Sequence, residues 1–113
     1  MMSAILISAN QLSQLIRTSA CPIIIDVRRR DAFDASDQMI ATAAWRDPEQ
    51  AAVWAADLAQ GAPGDAFVVV YCVHGHEVSQ GAAEALRSAG VDARFLEGGI
   101  EGFIEAGGET VVK

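Results

Sequence analysis

The chain has 113 residues, 51% of them hydrophobic, with 8 Lys and Arg against 15 Asp and Glu and a net charge of -7. That length suits a single domain spanning residues 1–113 around one core. So few cations, and no apolar run long enough to cross a bilayer, speak against nucleic-acid binding and membrane insertion.

In chain order, Met1-Met2-Ser3-Ala4 carries no basic, long apolar secretory signal, so a cytoplasmic protein is expected. Ile5-Leu6-Ile7 reads as a strand, and Ser8 or Asn10 can cap a helix carrying Leu12, Leu15 and Ile16. Cys21-Pro22 is expected to end that helix, because proline moves the residue before it out of the α region. Ile23-Ile24-Ile25 suits a strand buried on both faces. Arg28-Arg29-Arg30 is expected to be a solvated turn. Residues 31–47 have weak periodicity and read as mostly loop, with a short strand near Ala43.

Asp47-Pro48-Glu49 has the form of a capped helix start, and Val53, Trp54 and Leu58 give that helix an apolar side up to Gly61-Ala62-Pro63-Gly64. Phe67-Val68-Val69-Val70-Tyr71 is the strongest strand signal. A helix through Ala82, Ala83, Ala85, Leu86 and Ala89 closes at Gly90. A strand from Ala93 to Leu96 follows, then a last helix between Gly98-Gly99 and Gly107-Gly108. This alternation predicts an α/β fold: right-handed crossovers, a parallel sheet and helices on both faces. In such sheets ligands bind beyond the carboxyl ends of the strands, where Cys72 lies.

The segment from Cys72 through Val73, His74, Gly75, His76, Glu77, Val78 and Ser79 runs from a strand through a tight loop into a helix. Such a loop can turn backbone N–H groups inward, and with the helix dipole it favours a thiolate or persulfide anion at Cys72. Cys21, just before a strand, reads as a buried thiol rather than a resolving partner. Ser79 reads as a helix cap or a donor to the sulfur, the cap being the simpler role. Cys72, His74 and His76 are all zinc-ligand types, but a structural site takes four ligands, so no metal or other cofactor is expected.

Three segments, in order, resemble the rhodanese family of sulfurtransferases. They are Ile24-Ile25-Asp26-Val27-Arg28, Val69-Val70-Tyr71-Cys72 with its loop, and Phe95-Leu96-Glu97-Gly98-Gly99 leading to Phe103. The resemblance covers roughly residues 5 to 109. It implies a three-layer α/β/α domain around a parallel sheet of about five strands. It also implies that Cys72 takes sulfane sulfur from a donor such as thiosulfate and passes it to a thiophilic acceptor. Residues 73 to 78 would be the substrate-binding cradle, with Asp26 and Arg28 in support through charge-assisted hydrogen bonds. The partners implied are a small sulfur donor or acceptor, or a partner protein thiol.

The chain departs from the family at three places, the mildest being Phe103 where a tryptophan is common after the Gly-Gly turn. Gln38-Met39-Ile40-Ala41-Thr42-Ala43 replaces a segment that often borders the site, so access is expected to differ. Cys72 to Gly90 is 18 steps, one more than compact members have. The longer loop is similar to that of related phosphatases and arsenate reductases, but Val78 stands where they place arginine, which argues against oxyanion-ester chemistry. Glu77, as the loop's formal charge, points away from dianionic thiosulfate and toward a bulky or neutral donor. The alternative to a sulfurtransferase is a protein-specific sulfur carrier or binding module with little thiosulfate turnover.

Overall fold

The computed structural model describes residues 5–18, 22–61, 67–74 and 77–113; for Ile5, Ala59, Gln60, Gly61 and Glu77 it describes the backbone alone. Cys21 and residues 62–64 of the expected helix stop lie outside the described residues. Strand β1 (Ile5–Ile7) leads through Ser8 into helix α1 (Ala9–Ile16). There Ser8 Oγ accepts from Gln11 N–H at 3.1 Å, while Gln11 Oε1 accepts from Ser8 N–H at 3.0 Å. That reciprocal capping box selects Ser8 over Asn10. The helix stops well before Pro22, because the Thr18 N–H and hydroxyl both donate to Leu15 O.

Strand β2 (Ile23–Asp26) is followed by helix α2 (Arg30–Ala35), strand β3 (Gln38–Ile40) and strand β4 (Ala44–Trp45). The expected loop over 31–47 is thus only partly loop, though the short strand falls next to Ala43. A single 3-10 turn (Pro48–Gln50), capped by Asp47, runs into helix α3 (Ala51–Gly61). Trp54 is buried there, but Val53 faces solvent. Strand β5 (Val68–Tyr71), helix α4 (Glu77–Ser88), strand β6 (Ala93–Leu96), helix α5 (Gly99–Glu105) and strand β7 (Thr110–Val112) complete the order.

Five strands form one parallel sheet in the order β1-β6-β5-β2-β4. Side chains alternate across it, as strand geometry requires. Ile25, Val68 and Val70 pack against α3 and α4 through Trp54, Ala55, Ala83 and Leu86. Ile24, Val69 and Tyr71 face the other side, toward Leu12 of α1 and Ile100 and Phe103 of α5. The result is the expected three-layer α/β/α arrangement. β3 and β7 pair antiparallel in a separate small sheet. Among the described residues, no helix is long and apolar enough to cross a membrane.

Candidate active site at the end of β5

β2 and β5 lie side by side in register, Asp26 opposite Tyr71. The residues leaving their carboxyl ends are therefore neighbours in space. From β5 comes Cys72, whose residue is 6% exposed; from β2 come Val27, Arg28 and Arg29. A cavity of about 570 Å³ opens there, lined by Arg28, Arg29, Asp31, Ala32, Cys72, Val73, His74 and Val78. Its size suits a small-molecule ligand. Gly75 and His76 lie outside the described residues, and Glu77 is placed only as the first backbone residue of α4.

Ser79 lies inside the first turn of α4, fully buried, with its hydroxyl 3.3 Å from Cys72 Sγ. That places it against the sulfur rather than at the helix cap. The backbone behind the cysteine is held by the next motif along the chain. Ile100 N–H donates to Cys72 O at 2.9 Å and Glu101 N–H to Val73 O at 3.2 Å. Gly99 makes that approach possible. Its φ is +62°, and a Cβ there would sit 2.4 Å from Val73 O and 2.5 Å from Cys72 O. No side chain larger than hydrogen fits.

The expected solvated turn at Arg28-Arg29-Arg30 is corrected at its first member. Arg28 is 2% exposed, with Nη2 2.6 Å from Asp26 Oδ2 and Nε 3.0 Å from both carboxylate oxygens. A strand end two residues from a buried carboxylate pulled it inward; charge runs in sequence do not show that. Nη2 also donates to Gln38 O at 2.9 Å. Tyr71 hydroxyl donates to Asp26 Oδ2 at 3.0 Å and accepts from Ile40 N–H at 3.1 Å. Burial, then the Asp26 charge, raises the Tyr71 phenol well above its ordinary range. For Arg28 burial opposes the charge, but the Asp26 hydrogen bond and charge outweigh it and leave the guanidinium more firmly protonated.

The Gln38–Ala43 segment lies behind the site, tied to Arg28 and Tyr71 through Gln38 O and Ile40 N–H, and contributes nothing to the cavity lining. The wall is built instead by Arg29, Asp31 and Ala32, which the sequence reading missed. The available signal was topological, since residues following Asp26 must flank those following Tyr71 once β2 and β5 pair. Among the described residues, no three His, Cys, Asp or Glu side chains gather to hold a metal ion.

Comparison with known proteins gives the fold a lineage. A rhodanese-related protein of Thermoplasma volcanium is similar over 96% of this chain and 99% of its own, at 24% identity and a TM-score of 0.72. A rhodanese-like domain from Anabaena matches 100% of this chain and 81% of its own, at 23% identity and 0.74. A Rhodopseudomonas palustris protein described as a possible tyrosine phosphatase matches 97% of this chain and 85% of its own, at 20% identity and 0.77. No curated protein matches. The family model of the rhodanese-like domain matches residues 8–106, so the chain belongs to the rhodanese-like domain family.

Proposed function

We propose that the protein is a sulfurtransferase that carries sulfane sulfur as a persulfide on Cys72. The observation that carries this reading is Cys72 in the lining of the cavity, its Sγ 3.3 Å from the Ser79 hydroxyl. As a thiol, Cys72 Sγ donates to Ser79 Oγ; once the sulfur is ionised, the same hydroxyl rotates to donate to it and stabilises the anion, whether thiolate or persulfide. Cys72 thiolate attacks the outer sulfur of a donor such as thiosulfate; a Cys72–sulfur bond forms, the donor's S–S bond breaks, and sulfite leaves with the electron pair. An acceptor thiolate then attacks the terminal sulfur, and Cys72 thiolate departs. Val78 leaves the loop without an arginine fork at that position, which favours sulfur transfer over phosphate-ester hydrolysis.

A cavity much larger than a small anion needs also favours a second reading, a carrier that serves one protein thiol. Mass spectrometry of the protein treated with thiosulfate, before and after thiol reductant, tests the common step. A reducible gain of one sulfur atom on Cys72, absent in Cys72→Ser, is expected. A wild-type protein that gains no sulfur from thiosulfate or from a persulfide-bearing donor protein would overturn both readings. Slow release to small thiols, with fast release to one protein, would select the carrier.

A further inference from the structure

Helix α2 supplies Asp31 and Ala32 to the cavity wall, yet none of its six residues is buried. A helix that short does not hold itself in place, so what fixes this wall lies outside it. On one side the Phe33 ring packs against Trp45, centroids 5.4 Å apart, with the Arg28 guanidinium 5.4 Å from the same ring. Arg30 pairs with Asp34 inside the helix at 3.2 Å, and its guanidinium lies 5.5 Å from the Trp45 ring. At the carboxyl end the hold is Lys113, whose Nζ donates to Phe33 O and, at 2.6 Å, to Ser36 O. The same Nζ lies 3.8 Å from the Phe33 ring centroid, and Lys113 N–H donates to Asp37 O at 2.9 Å. A cation there meets carbonyls at the negative end of the helix dipole and the face of an aromatic ring.

Lys113 reaches α2 because β7 pairs with β3, Gln38 opposite Val112 and Ile40 opposite Thr110. β3 in turn is tied to the site, through Gln38 O to Arg28 and through Ile40 N–H to Tyr71. β7 is thus fixed relative to Cys72, and Lys113 carries that fix to α2. We propose that β7 and Lys113 form a strap that holds α2 against the Cys72 cavity, so that Lys113 is a positioning residue limiting the size of the molecule that reaches the sulfur. With the strap in place, small reactants enter. When α2 swings away, a bulkier reactant, such as the cysteine-bearing segment of a protein, gains the same access. The proposal concerns access to Cys72 and stands whether or not the sulfur becomes a persulfide.

The test reads access to Cys72 in a Cys21→Ser background, where Cys72 is the single thiol. Rates of alkylation by N-ethylmaleimide and by the much larger N-(1-pyrenyl)maleimide are compared in that protein and with Lys113→Met or Lys113→Arg added. Methionine keeps an apolar stem and removes the cation, whereas arginine keeps the cation. The pyrenyl-to-ethyl rate ratio is expected to rise about fivefold in Lys113→Met, the worth of one cation at a helix end, and to return in Lys113→Arg. Hydrogen exchange of the α2 amides should quicken by a similar factor in Lys113→Met, while the N-ethylmaleimide rate stays within about twofold. An unchanged ratio in Lys113→Met overturns the proposal even where α2 exchanges faster, since Lys113 would then support the helix without limiting access. A ratio that rises equally in Lys113→Arg overturns it as well, because the cation would not be what holds α2.

Discussion

The Arg28 guanidinium closes onto the carboxylate of Asp26, two residues earlier on the same strand end, at 2.6 Å and with both side chains buried. A pair so placed is costly to half-remove, since one charge is then buried alone. Asp26→Asn is expected to destabilise the fold by about 3–5 kcal/mol. Urea denaturation checks it, and adding Arg28→Met to that variant should recover part of the loss. A single variant within about 1 kcal/mol of wild type would mean water replaces the pairing.

Tyr71 extends that network and supplies its pH dependence. Its phenol is raised in the fold above the unfolded value of about 10, so its stabilisation is complete below that pH and is lost as pH climbs toward the folded value. Stability measured from pH 7 upward should show no Tyr71-dependent change until about pH 10 and then decline. Tyr71→Phe should remove this alkaline component. It should also cost about 1–3 kcal/mol at neutral pH, because Ile40 N–H loses its acceptor. Tyr71 is the single tyrosine, so phenolate absorbance reports it directly.

Gly99→Ala pushes a Cβ into the carbonyls of Cys72 and Val73 and forces alanine into left-handed backbone. The combined cost is expected to exceed about 2 kcal/mol. Sulfur loading should slow even where the variant remains folded, because the same carbonyls anchor the cysteine. Thermal melts and loading rates together decide it; normal loading in a destabilised protein would confine Gly99 to folding.

Ser79→Ala removes the hydroxyl beside Cys72 Sγ and little bulk. Persulfide formation is expected to slow about tenfold, while unfolding shifts far less. Rescue by Ser79→Thr would tie the effect to the hydroxyl. An unaltered rate in Ser79→Ala would show that backbone donors alone hold the anion.

How much of this was legible in the sequence depended on whether the signal was local. Ile23-Ile24-Ile25 and Val68-Val69-Val70 announce buried parallel strands because each needs apolar residues on both faces. Ser8 with Gln11 is a capping box within four residues. Helix α2 escaped notice because it carries one large apolar residue, Phe33, and is held from outside. Arg28 lies over that ring, and Lys113 Nζ donates to Phe33 O and to Ser36 O. β3 and β7 escaped because each is half of a pairing across some seventy residues, Gln38 opposite Val112. At the site, Cys72 and the Gly98-Gly99 turn were visible as motifs. Arg29, Asp31 and Ala32 were not, since their place on the cavity wall comes only from which strands are adjacent.

The burial of Cys72 bears on a choice that any persulfide presents. Two sulfurs in it are electrophilic. Attack on the outer one transfers sulfur, whereas attack on the inner one forms a mixed disulfide and expels hydrosulfide. Cys72 is 6% exposed, with Ser79 against its Sγ, while a terminal sulfur would stand about 2 Å further into the cavity. A nucleophile coming from the cavity would meet the outer atom before the inner one. On the persulfide reading proposed above, the same packing that makes the cysteine look like a core residue would favour delivery of sulfur over its loss as sulfide.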